Sequence, residues 1–129
     1  CPGCDLSGAE LANADLKGAN LKTANLRQAR LSQANLVQSN LVGADLRQAV
    51  LSEADLAQSH LAGANLRQAD LSLSNLTGAN LEAARLSRAN LSGANLTQAR
   101  LRQAGLDQAT LLFADLEGAD LRQANIQGA

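Results

Sequence analysis

The chain has 129 residues, of which 46% are hydrophobic, and almost all of these are Ala or Leu. Eleven Lys and Arg residues against twelve Asp and Glu give a formal net charge of −1, so no global field would attract nucleic acid or an anionic membrane surface. No apolar run approaches the ~20 residues of a membrane-spanning helix, and no signal peptide is recognisable. We therefore expect neither nucleic acid nor a membrane as a partner.

The chain begins with Cys1-Pro2-Gly3-Cys4, a CxxC spacing that suits a disulfide, a redox pair or half of a metal site. A zinc site needs four ligands, and His60 is the one other candidate of soft type. We predict that Cys1 and Cys4 form a structural cap, as thiols or as a disulfide, with a regulatory redox pair and metal or lipid attachment as alternatives. We predict no metal site and no cofactor.

A five-residue repeat follows and runs through the chain without a slip. Leu recurs at every fifth position from Leu6 to Leu121, and Ile126 takes the last such position. The residue two before each of these is Ala, except for Cys4, Ser39, Ser59 and Ser74. Because there is no linker and no shift in composition, we predict one domain over 1–129, with 1–3 as an N-terminal edge and 4–129 as in-register repeats.

Strand periodicity explains this repeat better than helical periodicity. At ~100° per residue, a five-residue step would scatter the leucines around a helix. Ala-x-Leu instead has the inward, outward, inward pattern of a short strand, and the next two residues would turn the chain into the next strand. Eight of the ten glycines lie at the second position after Leu, where a type II turn requires φ > 0. Gln occupies that position ten times, so we expect some corners to use a turn without positive φ.

Columns of identical surface residues predict the length of one coil. Two such columns recur every 20 residues, namely Arg27, Arg47 and Arg67, and Ser32, Ser52, Ser72 and Ser92. Spacings of 15 and 25 give no comparable runs. Four five-residue sides should therefore make one coil.

The segments ANLRQARLSQANL, ADLSLSNLTGANL and ANLSGANLTQARL resemble the A(D/N)LXX units of the pentapeptide-repeat family, and the resemblance covers residues 4–129. It implies an all-β fold, a right-handed quadrilateral parallel β-helix with four pentapeptides per coil. The Leu and Ala positions would face inward and the other three outward. For this chain the resemblance implies about six coils and, at a ladder spacing of about 4.8 Å, a rod roughly 30 Å long.

Arginine forms the strongest local charge feature. We call the set Arg27, Arg47, Arg67 and Arg88 the Arg stripe. Like charges stacked about 4.8 Å apart repel one another, although salt and acids such as Asp45 reduce the cost. The stripe is either a solvated surface or a docking site for a carboxylate-rich protein partner.

Three apolar residues form a second candidate contact surface. Leu73 and Phe113 share one corner column, two coils apart, and Leu112 lies next to Phe113. Exposed apolar groups sometimes mark contacts, although single ones are common. We interpret His60 as a solvated surface residue, because a general base needs a pocket and a filled rod should offer no concavity.

The ends of the rod are the last candidate surface. A β-helix leaves unpaired strand edges, which solenoids usually cover with an atypical cap. The pentads continue to Ala129, so we expect the C-terminal coil, with Leu121 and Ile126, to be buried by a two-fold end-to-end contact with a second copy or by an unknown partner.

Family resemblance implies a non-catalytic scaffold or interaction protein of unknown specific role, with many cyanobacterial examples. The alternative that it implies is a DNA mimic that binds DNA gyrase, as quinolone-resistance members do, but near-neutral charge and Arg columns argue against it. An ice-binding β-helix is a third possibility, and the usual Thr-rich array is missing. We predict no enzyme, for want of a pocket, and favour the cytoplasm slightly over the periplasm or the thylakoid lumen.

Overall fold

The computed structural model describes all 129 residues as one continuous stack of coils. It contains neither a helix nor an extended strand. Its β structure consists of single-residue parallel bridges, and every bridge joins residues that are 20 apart, from Asp5–Asn25 to Gly105–Asn125. The structure has no helix of the length and apolarity needed to span a membrane.

The bridges fall into four rows, which define the four sides of the stack. Side 1 runs from Asp5 to Asn125, side 2 from Glu10 to Thr110, side 3 from Asp15 to Asp115 and side 4 from Asn20 to Asp120. The chain passes through all four sides in 20 residues. The four-sided coil predicted from the Arg and Ser columns is therefore confirmed, and the fold is a quadrilateral parallel β-helix.

Backbone hydrogen bonds join each pentad to the next coil. The N–H groups of Leu46 and Gln48 donate to the carbonyls of Asn65 at 2.8 Å and Arg67 at 3.1 Å. The N–H of Ala49 donates to the carbonyl of Leu46 at 3.1 Å and closes the corner. These bonds recur every five residues, so most backbone N–H groups of the inner coils donate to backbone carbonyls.

One N–H in each pentad of the inner coils has no backbone acceptor, and it explains the preference for Asn or Asp before Leu. In the pentad around Leu46 this donor is the N–H of Arg47, which donates to Asp45 Oδ1 at 3.3 Å. The same contact recurs from Ser7 N–H to Asp5 at 3.0 Å. Asn and Asp reach the backbone two residues on because their side chains are short and polar.

Every corner has positive φ at its second residue, whatever the side chain. Among the residues other than Gly, φ lies between 55° at Ala83 and 61° at Gln123. The expectation that glutamine corners avoid positive φ is therefore wrong. The N–H at this position belongs to the inter-coil ladder, so each corner keeps the shape of its neighbours. Stacked amides offset the strain, because Gln28 Nε2 donates to Gln48 Oε1 at 3.2 Å.

The core consists of stacked Leu and Ala side chains. A cluster of 33 buried residues extends from Leu21 to Ala109. Toward the ends Leu6 and Leu121 are only half-buried, and Ile126 is 55% exposed. The prediction that Leu and Ala face inward is confirmed for the inner coils, where each side chain has a coil on either side.

Three buried serines take the place of Ala in this core. Ser39 Oγ and Ser59 Oγ have no hydrogen-bond partner, whereas Ser74 Oγ donates to the Leu71 carbonyl at 2.7 Å. A buried polar group without a partner costs about 1–3 kcal/mol. We expect Ser59→Ala to raise the free energy of unfolding by about 1 kcal/mol, measured by denaturant unfolding. Ser74→Ala is the matched control, and an equal gain there would contradict the hydrogen-bond assignment.

Candidate interaction surface

Side 1 carries a groove of about 380 Å³ that we call the Arg groove. It is lined by Arg47, Arg67, Gln68, Ser87, Arg88 and Asp107. Arg67, Ser87 and Asp107 occupy the same position in three successive coils. The short Ser87 side chain donates to Asp107 Oδ1 at 2.7 Å and leaves a trough between longer neighbours.

This groove corrects the expectation that a filled rod offers no concavity. The interior is filled as predicted, but long side chains project from the flat side and enclose a trough between them. Sequence reasoning missed Ser87 and Asp107 as lining residues. The sequence did contain a signal for these two residues. Along one column the residue changes from Arg67 to Ser87 to Asp107, which ends a run of identical arginines.

The structure separates the Arg stripe into two groups. Arg47, Arg67 and Arg88 line the Arg groove, and Arg27 lies outside it. Arg47 is already occupied, because its Nε donates to Asp45 Oδ1 at 2.8 Å and its Nη2 to the other carboxylate oxygen. These hydrogen bonds from Arg47 hold the pKa of Asp45 below its usual value.

Arg67, Arg88 and Gln68 keep donors free in the groove. The Arg67 guanidinium makes no hydrogen bond and no ion pair within the protein. Arg88 uses only Nε, which donates to Gln108 Oε1 at 2.8 Å. Gln68 accepts from Gln48 at 3.3 Å, and its own Nε2 makes no hydrogen bond. The groove therefore presents two guanidinium groups and one amide to solvent.

Charge is distributed unevenly around the rod. Side 1 carries five arginines against three aspartates, and side 4 carries four cations against two acids. Side 2 has one cation against three acids, and side 3 has one against four. The small net charge of the whole chain thus conceals two adjoining basic sides and two adjoining acidic sides. A partner that meets side 1 encounters a positive surface.

The apolar candidates are exposed but do not form one patch. Phe113 is 87% exposed and Leu112 59%, and together they border a hollow of about 530 Å³ that reaches Ala129. Leu73 is 65% exposed and lies two coils away, over Gly93. Its Cδ2 is 2.7 Å from the point where a Cβ on Gly93 would stand, so Gly93 leaves the room into which Leu73 packs.

Cys1 and Cys4 form a disulfide at the first corner. Cys4 is half-buried and packs against the core, whereas Cys1 is exposed. Gly3 has the same positive φ as the other corners, and its N–H donates to the Lys22 carbonyl at 2.8 Å. The repeat geometry thus begins at Cys1. No group of three or more His, Cys, Asp or Glu residues is placed to hold a metal ion.

The remaining candidates lie apart from the Arg groove. His60 is exposed on side 4, where bridges join it to Asn40 and Asn80. Leu121 and Ile126 lie in the last coil, half-buried and exposed respectively. The structure brings none of these residues together with the arginines of side 1.

Asp120 and Arg122 repeat the Asp45–Arg47 contact and give a pH-dependent prediction. Hydrogen bonds from the Arg122 side chain lower the pKa of Asp120 from 3.8 to about 2. The stabilisation from this pair should be complete above about pH 4 and be lost as the pH falls toward 2. We expect the Asp120 carboxyl resonance to titrate near 2 by NMR and to move toward 3.8 in Arg122→Gln. A midpoint near 3.8 in the unmodified chain would contradict the pairing.

Comparison with known proteins assigns the chain to a family. The profile described as Pentapeptide repeats matches residues 1–28, 29–68, 49–88 and 84–123. A solved pentapeptide repeat protein from the Arabidopsis thaliana thylakoid lumen is 37% identical to this chain and superimposes with a TM-score of 0.75. The match covers 78% of this chain and 70% of the Arabidopsis chain. QnrB1, a plasmid-mediated fluoroquinolone resistance protein, was solved as the trypsin-treated R167E form. It is 24% identical, with 98% and 60% coverage and a TM-score of 0.63, which shows a shared fold.

Curated protein sequences give no match to the chain. The family profile nevertheless extends over nearly the whole length, and the Arabidopsis protein supports it with identity above 30% across most of both chains. The five-residue ladder, the positive-φ corners and the Leu–Ala core agree with both comparisons. The chain belongs to the pentapeptide-repeat family.

Proposed function

We propose that this chain is a non-catalytic interaction scaffold, a right-handed rod of about six coils that binds a protein partner through the Arg groove. The observation that carries the proposal is the Arg groove, where Arg67 and Arg88 have donors that the protein itself does not use. Arginine is enriched at protein interfaces because its planar guanidinium makes paired hydrogen bonds. A rigid rod fixes the backbone positions of these residues, so only their side chains need to be ordered when the partner binds.

The distribution of ionisable groups supports a non-catalytic role. The buried residues are Leu, Ala and the three serines, and every ionisable side chain is at least partly exposed. Catalysis of most reactions requires a reacting group that is held away from bulk water beside a substrate pocket. The sides of this rod offer open troughs, which suit contact with another surface.

Partner capture tests the proposal. The immobilised chain would be compared with an Arg67→Glu, Arg88→Glu variant and with an Arg27→Glu, Arg122→Glu variant of the same net charge. We expect a protein that is retained by the unmodified chain and by the second variant, and lost from the first. Retention of the same proteins by both variants would show that the Arg groove is not the partner surface.

A DNA mimic that binds gyrase is the alternative function, and charge density disfavours it. Duplex DNA carries one negative charge per ~1.7 Å, so a rod roughly 30 Å long would need about 18 acidic groups along its length. The whole chain has twelve Asp and Glu residues and eleven cations. We expect no inhibition of gyrase supercoiling by the chain at micromolar concentration, and inhibition in that assay would favour the alternative.

The C-terminal coil is a second proposed contact, made with another copy of the chain. Ile126 is 55% exposed and Leu121 is half-buried, so two such ends would bury apolar surface against each other. Leu121→Lys with Ile126→Lys should abolish the dimer in sedimentation and leave the β-sheet spectrum of the inner coils. Sedimentation of the unmodified chain as a monomer at micromolar concentration would reject this contact.

We propose that the Cys1–Cys4 disulfide favours an oxidising compartment, such as the periplasm or the thylakoid lumen, over the cytoplasm that the sequence slightly favoured, and the state of these cysteines in the native protein tests this. Disulfides persist in oxidising compartments and are rare in reducing ones. Alkylation of the protein as isolated from its source should find two free thiols if the compartment is the cytoplasm. A disulfide in that material would place the protein in an oxidising compartment instead.

A further inference from the structure

Five arginines lie directly after the repeat Leu, and their environments follow a simple rule. Arg47 and Arg122 are preceded, two residues earlier, by Asp, and each makes paired hydrogen bonds to that carboxylate. In the other three pentads the residue before Leu is not acidic, and the guanidinium has no partner within the protein. These arginines are Arg27 after Asn25, Arg67 after Asn65 and Arg102 after Arg100. The residue before Leu thus determines whether the guanidinium is hydrogen-bonded within the protein.

Asn65 leaves Arg67 free at the centre of the Arg groove. The Asn65 side chain accepts the N–H of Arg67 at 3.4 Å, as Asp45 accepts that of Arg47, but a neutral amide offers no charge to the guanidinium. The neighbouring Arg47 is neutralised by its own pentad, and Arg88 keeps both Nη groups free. Within the groove, the positive charges without an internal carboxylate partner are those of Arg67 and Arg88, against the one carboxylate of Asp107, which accepts a hydrogen bond from Ser87.

We infer that Arg67 and Arg88, with the Gln68 amide beside them, bind two carboxylates of an extended acidic segment of a protein partner, and that Asn65 keeps this site open. The inference rests on the proposed scaffold function and assigns the partner chemistry of its main surface. The internal pairs supply the template. On this rod, an arginine after Leu makes its paired hydrogen bonds with an aspartate carboxylate at Nε and Nη2, and an external carboxylate would occupy the same donors of Arg67.

The spacing of the Arg67 and Arg88 Cα atoms suits an extended segment. Arg67 and Arg88 lie in adjacent coils and one residue apart along the side. A ladder step of about 4.8 Å and a residue step of about 3.8 Å separate their Cα atoms by about 6 Å. Alternate residues of an extended chain lie about 6.6 Å apart on the same face. A segment with acidic residues at i and i+2 would therefore meet both arginines.

Peptide titration of the intact chain tests the inference. The probe is a five-residue peptide with two Glu residues separated by one Ser, and its Gln counterpart is the uncharged control. Binding is followed by NMR shifts of the side-chain resonances of Arg67, Arg88 and Gln68. We expect the Glu peptide to shift these resonances and the Gln peptide to leave them unchanged. Equal binding of the two peptides would overturn the inference.

Asn65→Asp is the decisive variant, because it leaves the guanidinium and amide donors of the Arg groove in place. The introduced carboxylate would pair with Arg67 as Asp45 pairs with Arg47, and it would also lie one ladder step from the carboxylate of Asp45. We expect the affinity for the Glu peptide to fall about tenfold, which corresponds to the loss of one charge-assisted contact. Asp45→Asn should release Arg47 and strengthen binding. Circular dichroism and thermal unfolding verify that the variants keep the fold.

Asn25→Asp is the charge-matched control, since it makes the same charge change beside Arg27, outside the groove, while also removing the hydrogen bond from Asn25 Nδ2 to Asp5 Oδ1. We expect it to alter affinity by less than twofold.

If Asn25→Asp and Asn65→Asp weaken binding of the Glu peptide equally, the attraction is general to charge and the inference is overturned. The inference is also overturned if inorganic phosphate, at the same concentration as the peptide, shifts the Arg67, Arg88 and Gln68 resonances equally. The captured proteins separate the two proposals. If the Arg67→Glu, Arg88→Glu variant no longer retains them but the Asn65→Asp variant does, the proposed scaffold function stands and this assignment of Asn65 fails.

Discussion

Replacing Leu66 with alanine should lower the free energy of unfolding by about 2–5 kcal/mol, the range for a large-to-small change in a packed core. Leu66 is fully buried, with the coils of Leu46 and Leu86 on either side. Because the rod has no second core into which the neighbours can collapse, the cavity should persist and its cost should be near the upper part of that range. Denaturant unfolding measures the change.

Arg67→Ala provides the control for Leu66. Arg67 is the adjacent residue, it is exposed, and its side chain makes no internal hydrogen bond. Its loss should change the free energy of unfolding by less than about 0.5 kcal/mol. Equal effects of the two substitutions would reject the inward and outward assignment of neighbouring residues.

The second large effect is expected when the small inward position is enlarged. Ala64 is fully buried, and Ala44 and Ala84 occupy the same position in the adjacent coils. A leucine at residue 64 would add three carbon atoms to a filled interior and should cost about 1–3 kcal/mol or more. Separation of the coils would be needed to accept it, so broken hydrogen bonds between coils should accompany the loss. Hydrogen exchange at the Leu46 and Leu66 N–H groups would report that separation.

Ala62→Leu is the matched control for Ala64→Leu. Ala62 lies two residues earlier and directly follows Leu61, at an outward position that is partly exposed. The same substitution there should alter the free energy of unfolding by less than about 0.5 kcal/mol. A comparable loss at both positions would mean that Ala62 is packed against other atoms and that the outward assignment fails.

Much of the fold was predictable because one unit is repeated. The spacing of Arg27, Arg47 and Arg67 predicted the 20-residue coil, since identical side chains stack only when the backbone register repeats. The corners were not predicted correctly. Gln has no intrinsic preference for positive φ, and Gln48 adopts φ of 59° because its N–H is held by the next coil, as the N–H of Ala83 is at φ 55° without a side-chain amide. This is a tertiary constraint that overrides local propensity.

The candidate site was predictable only in part. The sequence placed Arg47 and Arg67 on one face, but it did not separate the occupied arginine from the free one. That difference depends on contacts between side chains two residues apart. Asp45 contacts Arg47, whereas no acidic residue stands at the equivalent position beside Arg67. The trough at Ser87 likewise arises from unequal side-chain lengths in successive coils, which a search for repeats passes over. The shape and charge of the Arg groove therefore depend on the positions where the residues of successive coils differ.

Hydrogen-bond scalar couplings measured by NMR provide the most direct test, because the Arg groove exists only if residues 20 apart are neighbours. In the four-sided coil, the N–H of Leu46 donates to the carbonyl of Asn65 at 2.8 Å. We expect a through-hydrogen-bond coupling between these two groups, and the matching coupling from Leu66 to Arg85. Coupling of Leu46 to the carbonyl of His60 or Asp70 would instead show three or five sides per coil. Either result would contradict the stacking that brings Arg47, Arg67 and Arg88 together.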